Sequence, residues 1–378
     1  NNLNKNTDNS CVHMMDIHIE FENYSLYRPQ IHENNGATKI MLPQEARARN
    51  FTYSSNITVD VKIKYRITKS TSSDQSPHVF EYNKILPNIS IGKIPIMLKS
   101  DGCILHQYRH FSSNATMECQ HDPGGYFIIN GSEKTVLSQE RVAENKIFIF
   151  KQSKPNTRYL YNAEIKSVPS DKCISPKHIS MIICSRINEF GYPIQVQIPR
   201  LKQPVSLFIL FRALGIVSDK AIAKKIFSNL ETKDPIMQEC IEFLRASMFE
   251  AYTYLTQNEA MNIITSLAIY VPINMDKETG IRKKQEYAVD ILNTDLFPHC
   301  NTKDMKIDFL AYMANQLIFA YMKLIPLNDR DSYNNKRIDT TGMLLNNLFR
   351  NYFNKVVKDL QKQTIKEINN GSWRSTND

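Results

Sequence analysis

The chain has 378 residues, 42% hydrophobic and 22% charged, with 11 glycines and 16 prolines. That composition excludes a fibrous or generally disordered polypeptide and is ample for two domains with full-sized cores. A formal net charge of +9 favours polyanionic partners, whose attraction weakens with salt as counterions are released. The seven cysteines are odd in number, scattered and without a C-x-x-C, which suits free thiols in a reducing compartment better than a disulfide framework. No apolar run is long enough to cross a bilayer and the first ten residues are polar, so neither a membrane partner nor a signal peptide is expected. A start without methionine and the polar ending Ser375-Thr376-Asn377-Asp378 read as a piece of a longer polypeptide.

In chain order, Met15 to Phe21 alternates with Ile17, Ile19 and Phe21 on one side, as a half-buried strand does. Ile57 to Ile67 repeats this with Lys62, Lys64 and Arg66 on the opposite face, a solvated surface or a nucleic-acid wall. Residues 68 to 78 read as a loop. Further strands are expected near Lys93 to Leu98, Tyr126 to Ile129, Lys146 to Phe150 and Tyr159 to Ile165. Pro169, Ser170 and Pro176 then break the pattern, and one strand pair follows around Ile179 to Ile187 and Ile194 to Ile198.

Helices dominate afterwards. Val205 to Leu214 is apolar and stops at Gly215. Ser218 or Asp219 opens the next helix, Asp234-Pro235 another, and more cover Gln257 to Leu267 and Asp304 to Leu324. From Thr341 a long helix carries Leu345, Leu348, Phe349, Tyr352, Val356 and Leu360 as one apolar stripe. Such a stripe packs most economically on the first domain. The expected fold class is therefore α+β: a strand-rich domain over 1–177, a helix-rich insertion over 178–340, and a helix over 341–378 returning to the first domain.

The motifs for self-sufficient chemistry are missing. Cys119-x-His121 and Cys173-x4-His178 lack the spacing of a zinc site. There is no phosphate loop, dinucleotide fingerprint, G-x-S-x-G, H-E-x-x-H or Asp-x-Asp cluster. No catalytic residue, metal ligand or cofactor is assigned. Basic candidates for phosphate contact are Arg47 and Arg49, Lys134, Arg141, Lys336-Arg337, and Arg282-Lys283-Lys284 in what reads as a polar loop. Of these, Lys134, Arg141, Lys336 and Arg337 are the selected nucleic-acid-binding residues.

The most distinctive stretch is Gly124-Gly125-Tyr126-Phe127-Ile128-Ile129-Asn130-Gly131-Ser132-Glu133-Lys134. Its Asn130-Gly131 suits a type I′ hairpin turn, where both central residues need positive φ. It resembles a segment of the second-largest subunit of multisubunit DNA-directed RNA polymerases. Pro43 through Ser55, Ile91 through Leu98, Gln139-Glu140-Arg141, Pro199 through Gln203 with Phe211 through Gly215, and Asp329-Arg330-Asp331 through Asp339 and Gly342 resemble other blocks of that family, in the family's order. Three positions depart from its pattern: Lys93 for arginine, Asn334-Asn335 for Gly-Lys and Met343 for proline.

The resemblance implies that 1–177 and 341–378 form a protrusion and 178–340 a lobe, lining the DNA cleft of the polymerase. It implies the largest polymerase subunit, other subunits, the DNA template and initiation factors as partners. It further implies Mg2+ and Zn2+ in the complete polymerase, held beyond residue 378. The setting is intracellular, a viral factory or virion for a large DNA virus and the nucleus for a eukaryote. A freestanding basic protein-interaction module and an independent carboxylate hydrolase are the other readings of the chain.

Overall fold

The computed structural model of the protein describes residues 11–71, 78–108, 116–152, 158–169, 175–271 and 276–370. It is α+β, with helices and several separate antiparallel sheets. The chain divides into two compact units, Asn1–Gln139 with Asp339–Asp378, and Glu140–Ile338.

The first unit opens with β1 (Cys11–Leu26), the small hairpin β2 (Gln30–His32) and β3 (Thr38–Ile40), and helix α1 (Pro43–Ala48). β4 (Ser54–Thr71) and β5 (His78–Pro95) follow, and β1, β4 and β5 form a three-stranded sheet with β4 in the centre. Ile17, Ile19 and Phe21 lie opposite Tyr65, Ile63 and Val61, so the expected alternation gives one apolar face. Strand β5 is far longer than its expected stretch. Pro87 and Asn88 break the alternation there, and they fall between the pairs Leu86–Val61 and Ile89–Val59. An edge strand with a bulge tolerates a proline that a central strand would not. Asp60 secures the irregularity by accepting from the Asn88 amide at 2.9 Å. Residues 72–77 of the expected loop lie outside the described residues.

Helix α2 (Ile104–Gln107) precedes the hairpin of β6 (Phe127–Ile129) and β7 (Ser132–Lys134). Asn130 and Gly131 both have positive φ, 49° and 77°, as the type I′ turn requires. The hairpin packs under the end of α1. The Tyr53 amide donates to Ile128 O and the Gly131 amide to Phe51 O, at 2.9 and 3.0 Å. Tyr53, Leu98, Ile104 and Ile128 are buried together in this unit's core.

The second unit runs from β8 (Gln139–Val142) through β9 (Phe148–Lys151), β10 (Tyr159–Ser167), β11 (Lys177–Cys184), β12 (Ile194–Gln197) and β13 (Val205–Ser206). The last five make one sheet in the order β13-β12-β11-β10-β9. Residues 140–177 thus fold with the second unit, and the first division falls well before residue 178. The reason is pairing: β10 zips to β11 from Asn162–Ile182 to Ser167–Lys177. The free edge of β9 is sealed by Asn328, whose side chain accepts from the Ile149 amide while its own amide donates to Ile149 O, at 2.8 and 3.2 Å.

Helices α3 (Leu207–Ala213), α4 (Asp219–Ile226), α5 (Pro235–Phe243), α6 (Arg245–Ala251), α7 (Gln257–Leu267) and α8 (Lys277–Asp290) follow, then a π-helical turn (Ile291–Asp295) and α9 (Lys303–Tyr321). Gly215 ends α3 at φ 98°, and the Asp234 carboxylate caps α5 by accepting from the Ile236 amide at 3.1 Å. Thr256 and Glu259 form a reciprocal capping box on α7. Sheet and helices share one core that includes Ile179, Met181, Phe208, Phe211, Leu310 and Leu317. The unit closes with β14 (Lys336–Asp339), which pairs with β8.

The last helix, α10 (Thr341–Asn369), belongs to the first unit. Phe353 meets Phe21 edge-on with ring centroids 5.6 Å apart, and Thr341 donates to Val136 O at 3.3 Å. The expected stripe is nevertheless not sealed. No residue of α10 is buried, and Leu348, Tyr352 and Val356 are 53%, 62% and 49% exposed. The helix is turned so that Phe353, outside the expected stripe, faces the sheet.

Gly131 tests the hairpin's close approach. A Cβ there would sit 2.5 Å from Asn50 Oδ1 and 2.9 Å from Asn50 Cα. Gly131→Ala is expected to lower stability in urea unfolding by about 2 kcal/mol or more, from positive φ plus steric overlap. Gly125→Ala, at similar φ with nothing within 4 Å, should lose only about 1 kcal/mol. Equal losses would show that the overlap is relieved freely.

Candidate nucleic-acid interface

The β8–β14 pair gathers three of the four selected cations. β8 supplies Arg141; β14 supplies Lys336 and Arg337. Ala143 N donates to Asn335 O at 3.0 Å, continuing the pairing past the strand ends. The approach to β14 is a 3-10 turn (Tyr333–Asn335) anchored by the buried Asn335. Asn335 Nδ2 donates to Asp329 O at 2.6 Å, and its Oδ1 accepts from Lys146 Nζ at 2.7 Å. A lysine at 335 would meet Lys146 and could not accept that bond. The departure from the family pattern at this position is thus locally compensated.

The three cations differ in what already holds them. Lys336 Nζ lies 2.8 Å from Glu140 Oε1, and that carboxylate raises its pKa. Arg141 is half-buried and pairs with Glu144 at 2.9 Å. Arg337 is exposed, and its Nη1 donates only to backbone carbonyls, Lys336 O at 2.8 Å and Asn334 O at 3.5 Å. With no carboxylate partner among the described residues, Arg337 has donors left for an external anion. Lys134, at the end of β7, is exposed and also without an ion pair among the described residues; it lies in the first unit.

Arg47, Arg49 and the β4 cations are engaged internally. Arg47 Nε donates to Glu133 and Nη1 to Glu118, both at 2.7 Å, while Nη2 reaches the Tyr126 hydroxyl at 2.9 Å. Burial opposes its charge, but these partners hold its pKa above the ordinary value. Tyr126 is pushed up to about 12 by burial and by donating to Asp122. Arg49 forks onto Glu33 at 2.7 and 3.1 Å and also reaches Glu45. On the basic face of β4, Lys62, Lys64 and Arg66 pair with Glu22, Glu20 and Glu81. Arg282, Lys283 and Lys284 lie on α8 rather than in a loop, with Glu286 3.8 Å from Arg282.

Arg330 stands out in the sequence only by its place in a motif. Its guanidinium sits 4.0 Å from the Phe150 ring centroid and donates to Glu164 at 3.0 Å. No sequence signal linked them, because Arg330 and Phe150 are 180 residues apart and meet only in the fold. Nor did the sequence show the π-helical turn, where buried Asp295 accepts from Arg200 and sits 2.8 Å from Lys177 Nζ.

Among the described residues, no group of three or more His, Cys, Asp or Glu side chains is placed to hold a metal ion. Cys119 is exposed, while Cys173 lies outside the described residues. No described helix is long and apolar enough to cross a membrane.

Comparison with known families decides the relationship. The family model described as "RNA polymerase beta subunit" matches residues 2–377. The chain belongs to the RNA polymerase beta subunit family. It is 33% identical to DNA-directed RNA polymerase II subunit 2 of Arabidopsis thaliana over 93% of this chain and 29% of that protein. It is 27% identical to the probable DNA-directed RNA polymerase II subunit RPB2 homolog of Invertebrate iridescent virus 3, over 96% and 32%. Identity to the DNA-directed RNA polymerase subunit Rpo2N of Halobacterium salinarum is 29%, over 92% and 61%. The chain thus spans about three-tenths of the Arabidopsis and iridescent-virus relatives. In this beta-subunit segment, the motif arginines Arg47, Arg49 and Arg200 act as internal braces, whereas Arg337 has no carboxylate partner among the described residues.

The brace around Arg49 has a pH signature. Hydrogen bonds from Arg49 and then Lys39 lower the Glu33 carboxyl to about 2. A depressed folded pKa gives stability that is complete above the unfolded value near 4.5 and is lost as pH falls through about 2. The melting-temperature gap between wild type and Glu33→Gln is expected to be full at pH 6, to narrow below pH 4.5 and to vanish near pH 2. A gap independent of pH would remove the ion pair as its cause.

Proposed function

We propose that the two units form part of the DNA-cleft wall of a DNA-directed RNA polymerase, the first as protrusion and the second as lobe. The observation that carries this reading is the family match across residues 2–377, with relatives whose names are DNA-directed RNA polymerase subunits. In this role the chain contributes geometry and charge to DNA-templated RNA synthesis and no reacting group. The magnesium and zinc of the enzyme fall to polypeptide outside these residues. Its partners are the largest subunit, the other polymerase subunits, the DNA template and initiation factors, in the nucleus of a cell or in a viral factory or virion.

Arg337 is the leading phosphate contact, with Lys134 a second in the first unit. Arg337 has unengaged donors, whereas contact by Lys336 must compete with Glu140. Phosphate contacts position nucleic acid without reading its sequence, which suits an enzyme that moves along every template.

The test is DNA binding by the assembled polymerase across a salt series. Arg337→Ala should weaken binding uniformly across sequences and flatten the log–log salt slope by about one unit. Lys336→Ala should flatten it less, and Glu140→Gln should steepen it by freeing Lys336. A slope unchanged in the Lys336/Arg337 double alanine variant would remove this strand pair from the DNA path.

A further inference from the structure

We propose that the contact between His299 and Ser167 is an acid-sensitive latch, which seats residues 296–302, the loop before α9, on the end of β10 and opens when the imidazole is protonated. The two residues meet twice. His299 Nδ1 lies 2.6 Å from Ser167 Oγ, and the His299 amide donates to the same oxygen at 3.3 Å. Ser167 is fully buried. The imidazole packs against Phe309 and Phe297 at steep angles, with ring centroids 4.6 and 6.0 Å away. Its second nitrogen, Nε2, is buried and has no hydrogen-bond partner among the described residues. A neutral imidazole fits this place, because Nδ1 serves Ser167 while the rest of the ring stays among apolar neighbours. A protonated one does not: both nitrogens then carry N–H groups, and Nε2 buries a charged donor without an acceptor.

The surrounding charges also oppose protonation. Lys306 of α9 is buried, with its Nζ on Leu292 O and Asn293 O at 2.9 and 2.6 Å. Burial first, and then the Lys306 charge, hold the imidazole below its ordinary value near 6.5. The other charged groups of the packed elements are turned away or spent. Lys166, next to Ser167, is exposed on the opposite face of β10. Lys177, opposite Ser167 on β11, pairs with Asp295 of the π-helical turn at 2.8 Å, and Asp295 also accepts from Arg200. Lys303, one turn before Lys306, is exposed beside Gly215. Asp304 and Asp308 lie on another side of α9 from Lys306, and Asp308 pairs with Lys225 at 2.5 Å. A depressed folded pKa makes the latch fully effective above the unfolded value near 6.5 and weakens it as pH falls below that value. The Lys177–Asp295 tie persists beside it, so opening is local and frees the loop that carries the buried Cys300. This inference concerns the second unit alone and does not depend on the DNA reading.

The Cys300 thiol reports the latch. The full-length protein is labelled with dithiodipyridine, which reacts with thiols in acid as well as at neutral pH, and the modified cysteines are mapped by mass spectrometry. Normalised to free cysteine, Cys300 should label several-fold faster at pH 5.5 than at pH 7.5. Cys240, buried elsewhere in the same core, should not change. His299→Gln keeps a hydrogen-bonding group for Ser167 but no titrating one, and should label at one rate across this range. Ser167→Ala should label fast at both pH values. Titration of the His299 ring resonance in the unaltered protein covers the case of a variant that fails to fold, and its midpoint should lie below the ordinary histidine value. A midpoint at or above that value, equal Cys300 labelling at the two pH values, or an acceleration that persists in His299→Gln overturns the proposal. So does a parallel acceleration at Cys240, which would mean unfolding of the whole unit.

Discussion

The constraint on which the molecule depends is that a unit of some two hundred residues is inserted into another and must return the chain to where it left. The β8–β14 pair imposes this at the level of the backbone. Strand pairing, the Ala143–Asn335 hydrogen bond and the Lys336–Glu140 ion pair hold the departing and returning segments together. Because Asn335 is buried and tied to Asp329 and Lys146, the turn before β14 has little freedom. The exposed guanidinium of Arg337 thus projects from a fixed strand rather than from a loop. That is the condition under which a surface cation can meet a phosphate without first being ordered.

The family's arginines divide by what surrounds them. Arg212 is buried and bonded to Ala251 O, Tyr254 O and Asp219 at 2.5 to 2.6 Å. Removing one member of such a set strands the others, at a cost of about 3–5 kcal/mol. Arg200 joins Asp290, Thr294 and Asp295 while lying over the Tyr287 ring. Arg47 ties α1 to the hairpin. A guanidinium suits each place because its planar fork reaches several acceptors at once. These residues make the family's motifs recognisable, and their guanidiniums are spent on partners within the chain.

Much of this was legible in the chain. Periodicity located the strands of the first sheet and most helices of the second unit; Gly215, Asp234 and the Asn130-Gly131 dipeptide marked their ends by backbone or capping requirements. Three features were hidden for physical reasons. Strand β5 contains a proline that only an edge bulge accommodates. The first division was placed too late because Pro169 and Pro176 look like a boundary, whereas the strands on either side pair across the gap between them. The fate of a charge was the least visible: Lys62 and Arg337 look alike in sequence, and only the neighbouring glutamates distinguish a neutralised lysine from an available arginine. For the same reason, the side of α10 that meets the sheet could not be read from its stripe.

The insertion also sets a timetable. The sheet of β1, β4 and β5 is complete early in the chain, but α10, whose Phe353 covers part of its apolar face, follows only after Glu140–Ile338. At a synthesis rate of about 5–20 residues per second, that interval is on the order of ten to forty seconds. The second unit, whose strands and helices are contiguous in sequence, closes within it. The first unit is therefore begun first and finished last, and its three-stranded sheet stays partly uncovered while the nascent chain is still lengthening.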